Sequence, residues 1–241
     1  MDLNTIYNED CFAGMNQIPQ GIVDLIIADP PYLIPNISGG GSINNVKLLN
    51  QSLADLKEKH DITCGYDISL FSNEVVNLQG KNINVYFFCN KAQIPQYFKV
   101  YVDKLKCKFE ILTWHKLNAL PTYYNKYLSD TEFCLYFHKG KGKTKPMSYE
   151  DAKTFYLGHI NHKDKKRYGH PTIKPLELIE KLIKNSSNEG DLVLDPFMGS
   201  GTTAIGCINL KRNYIGFEIN EDYYKTSIQR ISEHTNRLAL F

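Results

Sequence analysis

Val23-Asp24-Leu25-Ile26-Ile27-Ala28-Asp29-Pro30-Pro31-Tyr32 is the stretch that decides the fold. Its apolar run does not alternate with polar residues, which is how a strand covered on both faces of a parallel sheet reads. A carboxylate, two prolines and an aromatic ring then follow at once. In open α/β sheets ligands bind beyond the carboxyl ends of the strands, so Asp29 and Tyr32 fall where chemistry is expected. Pro30 and Pro31 each fix φ, and Pro30 also restricts Asp29 to extended backbone. The Asp29 carboxylate and the Pro30 carbonyl are thereby held in one relative position as two rigid acceptors.

Outward from this stretch, similar runs at Thr5–Tyr7, Ile83–Phe88, Phe109–Trp114, Glu132–Phe137, Leu192–Leu194 and Tyr214–Phe217 read as further strands. Helical patterns lie between them. The clearest are Pro175–Lys184, with Leu176, Ile179, Leu182 and Ile183 on one stripe, and Glu221–Leu238. Such alternation predicts an α/β fold with a doubly wound, mostly parallel sheet. Phe109–Trp114 and Glu132–Phe137 are joined by an irregular loop rather than a helix, so an antiparallel strand is expected at that edge.

A second motif follows the strand Leu192–Leu194: Asp195-Pro196-Phe197-Met198-Gly199-Ser200-Gly201-Thr202-Thr203-Ala204. Its glycines let the backbone turn tightly and approach a ligand, with a helix starting at the threonines. Glu218 ends the next strand, where an acidic side chain can accept both hydroxyls of a ribose. Gly-x-Gly-x-x-Ala also fits a dinucleotide fingerprint, so a nicotinamide dehydrogenase stays open at this point. A P-loop is excluded, because no lysine follows the second glycine.

The chain has 241 residues, 42% hydrophobic and 22% charged, which excludes a peptide, a disordered chain and a fibrous one. No apolar stretch approaches the ~18 residues of a membrane span, and the start lacks a signal region, so a cytoplasmic protein without membrane contact is expected. Six scattered cysteines form no Cys-x-x-Cys pair, which predicts reduced core thiols and neither a metal site nor a disulfide framework.

The net charge of +2 is unevenly spread. Lys139 to Arg167 holds nine basic and three acidic residues, a local +6, with Tyr149, Phe155, Tyr156 and Tyr168 interleaved or adjoining. A solvated loop and a polyanion surface both fit that pattern. Residues 33 to 65 open on Pro35-Asn36-Ile37-Ser38-Gly39-Gly40-Gly41-Ser42 and read as a mobile loop. Residues 118 to 168 read as an insertion within one domain spanning 1 to 241.

Together these residues resemble the amino-methyltransferases that use S-adenosylmethionine to methylate exocyclic nitrogens of DNA bases. Asp29-Pro30-Pro31-Tyr32 matches that family's catalytic tetrapeptide, and Asp195 to Thr203 its cofactor loop. His170-Pro171-Thr172-Ile173-Lys174-Pro175 is similar to its His-Pro-Thr-x-Lys-Pro segment. Asn8-Glu9-Asp10-Cys11-Phe12 is similar to its opening Gly-Asp-Cys, with Glu9 in place of the glycine. The order of these motifs is that of the family's β group, and the fold implied is Rossmann-like.

The resemblance implies a site-specific adenine-N6 enzyme with Asp29, Pro30, Pro31 and Tyr32 catalytic. Asp10 with Cys11 would meet the cofactor adenine, Glu218 the ribose, and Asp195, Pro196, Gly199, Ser200, Gly201 and Thr202 the methionine end, with Phe197 an apolar wall. His170, Thr172 and Lys174 would close the site, with Lys174 toward the cofactor carboxylate. Residues 118 to 168 would read the target, and Lys163, Lys165, Lys166 and Arg167 would hold the phosphates of double-stranded DNA. A homodimer and a cognate restriction endonuclease are the partners to look for. The alternatives weighed are an N4-cytosine enzyme, whose tetrapeptide more often begins with Ser, and a catalytically silent DNA-binding subunit.

Overall fold

The computed structural model describes residues 1–31, 66–119, 127–140, 144–169 and 172–238. The expected loop at 33 to 65, Tyr32 and His170 lie outside them. Among the described residues eight strands form one sheet: β1 (Thr5–Tyr7), β2 (Leu25–Ala28), β3 (Asn84–Cys89), β4 (Lys108–Lys116), β5 (Thr131–His138), β6 (Phe155–Gly158), β7 (Leu192–Asp195) and β8 (Asn213–Phe217), in the spatial order β1-β8-β7-β2-β3-β5-β4-β6. The helices are α1 (Cys11–Met15), α2 (Ile68–Gln79), α3 (Ile94–Phe98), α4 (Tyr149–Ala152), α5 (His162–Tyr168), α6 (Leu176–Ser186), α7 (Thr202–Asn209) and α8 (Glu221–Leu238). A π-helical segment, Lys99–Lys104, continues α3.

The sheet is central, and its alternation sorts side chains between two cores. Ile26 and Ala28 of β2 pack on one face with Val85, Phe87, Leu194 and, from α2, Phe71 and Val75. Leu25 and Ile27 face the opposite way, against Leu178, Ile179, Leu182 and Ile183 of α6 and Ala204 of α7. All four β2 residues are buried, which is why the run is apolar throughout. Burying one such aliphatic side chain contributes about 1.5–3 kcal/mol. The five described cysteines are free and buried. Among the described residues no helix is long and apolar enough to cross a membrane.

Three expectations are corrected. The antiparallel strand is not at the edge: β5 pairs antiparallel with both β3 and β4, and β6 lies beyond them, parallel to β4. Residues 118 to 168 are not wholly an insertion, because β5 and β6 belong to the main sheet. The basic composition hides β6, whose four residues are mostly solvent-facing and keep only Gly158 buried. Helix α6 begins at Leu176, since Pro175 with its extended backbone is the cap, and it runs to Ser186 rather than stopping at Lys184.

Candidate active site

Strands β2 and β7 are parallel neighbours in mid-sheet, with Leu25 opposite Val193. The chain leaves β7 toward β8 on one side and β2 toward β3 on the other. Their carboxyl ends therefore border the crevice where ligands enter such sheets. A cavity of about 700 Å3 opens there, lined by Asp10, Glu218, Asp195 and Phe197 on the side of β1, β8 and β7 and by Asp29 and Lys174 on the side of β2 and β3. Cys11, Pro30, Pro31, Thr172, Pro196, Gly199, Ser200 and Thr202 also line it. The motifs at 8–12, 29–31, 172–175 and 195–203 and Glu218 are thus gathered around one space, although up to 210 residues separate them, as in the bond from Asn8 to the Glu218 carbonyl.

At the first end, backbone groups hold the acids. Glu218 follows β8 and accepts from the Gly199 and Asn220 N–H groups, each at 2.8 Å, one on each oxygen. Burial pushes its carboxyl up, against those two bonds. Gly199 and Gly201 have φ of 53° and 79°, a left-handed backbone that any side chain would strain. A Cβ on Gly201 would also stand 3.1 Å from Ser227. Gly201 does not line the cavity; it caps α7. Asp10 caps α1 by accepting from Phe12 and Ala13 N–H at 3.0 and 3.1 Å, a second task for the residue expected to meet adenine. Burial, then Asp10, pushes the Cys11 thiol up to about 12, so it stays protonated at neutral pH.

Asp195 is fully enclosed. Thr203 Oγ1 donates to it at 2.5 Å and Phe197 N–H at 3.0 Å, yet burial, reinforced by Asp29 and Glu218, raises its carboxyl to about 7. Phe197 stacks on Phe71 with 5.8 Å between ring centroids, fixing an apolar wall. The sequence reading missed Arg230 of α8, a buried cation on a polar helix. Its Nη1 donates to the Ser200 carbonyl and, at 3.2 Å, to Thr202 Oγ1, while its guanidinium lies 5.0 Å over the Tyr168 ring. It braces the glycine loop from behind and ties α5 to it.

At the other end, side chains do the holding. Lys174 Nζ lies 2.5 Å from Asp29 Oδ2 and 2.7 Å from Glu132 Oε1, and Lys116 Nζ lies 2.7 Å from Glu132 Oε2. The expectation that Lys174 faces the cofactor carboxylate is corrected: two protein carboxylates already take its ammonium. Glu132 was also missed, because nothing local marks an acidic residue at a strand start. Burial opposes its charge, but Lys174 and Lys116 hold its carboxyl well below the ordinary carboxylate range. Burial likewise opposes the charge of Lys174, while Asp29 and Glu132 raise its pKa.

These features fit a nucleoside with a charged amino-acid tail. A carboxylate aimed by two amides, an aromatic wall, and a buried carboxylate that a cation would ionise line one cavity of a size typical for such ligands. A family model for DNA methylases, N6_N4_Mtase, matches residues 23–229. The chain belongs to that family. Its fold is the methyltransferase fold of the solved members, and its cofactor is S-adenosylmethionine. The Type II methyltransferase M2.LlaDCHI of Lactococcus lactis subsp. cremoris is 29% identical over 248 residues, covering 95% of this chain and 89% of that protein. M2.DpnII of Streptococcus pneumoniae is 29% identical over 247 residues, covering 94% and 88%. An M1.HpyAVI–SAM complex superposes with a TM-score of 0.67 at 28% identity, over 94% of this chain and 98% of that one. The PvuII DNA methyltransferase (cytosine-N4-specific) shares the fold, with a TM-score of 0.66 at 17% identity over 97% and 91%.

For a DNA methylase the basic residues of α5 are of interest, and the structure divides the four. Lys163 and Lys166 are exposed. Lys165 is half-buried, and burial, then Lys116 and Lys174, lowers its pKa. Arg167 pairs with Glu233 at 2.9 Å.

Proposed function

We propose that this DNA methylase transfers the methyl group to the exocyclic N6 amine of adenine. The observation that carries the reading is Asp29 at the end of β2, set against Asp195 at the end of β7 across one cavity. The adenine amine is a weak nucleophile because its lone pair is delocalised into the ring. The Asp29 carboxylate and Pro30 carbonyl accept its two N–H groups in a geometry that favours a pyramidal nitrogen and returns the lone pair to it. S-adenosylmethionine, when bound, would supply the electrophilic methyl, its S–CH3 bond breaking to leave a neutral thioether while the methylated amine gives up one N–H proton to solvent. Glu218 holds the ribose hydroxyls, the Asp195 carboxylate with Gly199 and Ser200 holds the methionine end, and Phe197 closes the apolar side. Asp10 and Thr172 border the same space.

The target base must leave the duplex to reach Asp29, with Tyr32 as its stacking partner. Lys163 and Lys166 contact phosphates, and the segments flanking β5 and β6 within 118–168 read the sequence. A type II restriction setting, as in the relatives' names, would give this enzyme a cognate endonuclease as partner and a cytoplasmic location, and a homodimer is the assembly to look for. The test is methylation of DNA with labelled cofactor followed by nucleoside analysis. N6-methyladenine is the expected product; N4-methylcytosine would overturn the choice of base, and no labelled nucleoside would overturn the reading.

A further inference from the structure

Four charged side chains of alternating sign cross the mouth of the site. Asp29 ends β2, Lys174 precedes α6, Glu132 lies in β5 and Lys116 ends β4. Between β2 and β5 runs β3, and Lys174 bridges it, with its ammonium 4.8 Å from the centroid of the Phe88 ring. Only 9% of the Lys174 side chain and 11% of Glu132 are exposed, so both charges are largely stripped of water. A buried ion pair of this kind is often no more stabilising than apolar residues of the same volume. Fold stability therefore gives little reason for charge here, whereas an acceptor that must stay ionised in one orientation gives a direct one.

Resting on the reading that Asp29 accepts the target amine, we propose that Lys174 and Glu132 are positioning residues for Asp29. Lys174 pins Oδ2 and so sets the plane of the carboxylate toward the nucleophile. Glu132 holds Lys174 from the far side, across β3, and is itself held by Lys116. The ammonium is therefore fixed at both ends, and its direction toward Asp29 is set by the sheet rather than by its own flexible stem. The positive neighbour also keeps Asp29 ionised when an incoming base displaces water, where burial would otherwise favour the neutral acid. Among the described residues, the titratable groups that also face this relay include Lys165 of α5, which repels Lys174, the Cys134 thiol of β5 beside Lys174, and the Cys89 thiol of β3 beside Asp29 and Glu132, both thiols having pKa values that burial raises.

The test compares Lys174→Met, Glu132→Gln and Asp29→Asn by single-turnover methylation of DNA across the acid to neutral range, with S-adenosylmethionine binding and thermal melting measured on each. Lys174→Met should slow the step by about 10²-fold, the cost of a misplaced group, and move the acid limb of the rate profile to higher pH. Glu132→Gln should slow it less and move the acid limb to lower pH, because Lys174 then acts on Asp29 without a competing carboxylate. A merely structural role would not produce shifts of opposite sign. A wild-type rate and acid limb in Lys174→Met, or an acid limb that stays or rises in Glu132→Gln, overturns the proposal. Should Lys174→Met fail to fold, the direction of the Glu132→Gln shift decides alone. A wild-type rate in Asp29→Asn overturns instead the assignment of Asp29, which separates the two failures.

Discussion

The two ends of the cavity hold their carboxylates by different means. Glu218 is fixed by the amides of Gly199 and Asn220, and Asp195 by Thr203 and the Phe197 amide, all within twenty residues of the acid concerned. Asp29 is fixed by Lys174, 145 residues away in sequence. Local backbone turns set the first end, and a relay of side chains across three strands sets the second. An end built from turns depends mainly on its own loop, braced here by Arg230. An end built from ion pairs can be retuned by one substitution on a distant strand.

The sharpest way to break this contrast is at Asp29. Asparagine keeps the size but can present an N–H to the amine and loses the charge-assisted bond. Asp29→Asn should lower the single-turnover rate by about 10² to 10³, or roughly 3–4 kcal/mol, with cofactor affinity and melting temperature near those of the parent. A comparable loss of cofactor affinity would mean that the two ends are one unit.

At the other end the reverse pattern is expected. Glu218→Ala removes a charged acceptor, a change of about 1.5–3 kcal/mol, so calorimetry should show S-adenosylmethionine binding weakened by about 10- to 100-fold. The rate at saturating cofactor should suffer far less. Tight binding of NAD in place of S-adenosylmethionine would revive the dinucleotide reading of the glycine loop.

Asp195 sharpens the comparison through pH. Its carboxyl sits at about 7, above the ordinary 3.8. An acid with a raised pKa stabilises the ligand-free fold while neutral, and that contribution fades as pH rises from about 4 to 7. A cationic ligand end prefers the ionised form, so S-adenosylmethionine should bind about tenfold more tightly at pH 8 than at pH 6, with proton release detectable by calorimetry in buffers of different ionisation heat. Asp195→Asn should flatten that dependence and raise the melting temperature of the ligand-free protein at alkaline pH.

The smallest effect is expected on DNA. Removing Lys163 and Lys166 together should reduce the slope of log affinity against log salt by about 0.9 for each phosphate no longer neutralised. Arg167→Gln should change the slope less, since Glu233 already takes that charge. Equal effects from all three would show that the Arg167–Glu233 pair opens on DNA.

What could be read from the sequence follows the same divide. Strands β2, β3, β7 and β8 are apolar because both their faces are covered, and the turns after β2 and β7 need proline and glycine, so both are written in contiguous residues. Strand β6 is edge-lying and mostly exposed, and Phe155 to Gly158 gives no such signal. Glu132, Lys116 and Arg230 matter only through partners far along the chain. Lys174 was found, but its partner was not, because the family's motif marks the residue without saying which carboxylate it faces.

The pairing of β2 with β7 also has a consequence for synthesis. Leu192 N–H bonds to the Asp24 carboxylate, an interaction spanning 168 residues, and β2 has only β3 as a sheet neighbour until β7 is made. At about 5–20 residues per second, roughly ten to thirty seconds of translation separate the two strands. Throughout that interval one whole edge of an apolar central strand is unpaired, with Asp29 at its tip and no Asp195 beside it. The nascent chain therefore carries its stickiest edge for most of its time on the ribosome, and the catalytic crevice is among the last features to exist.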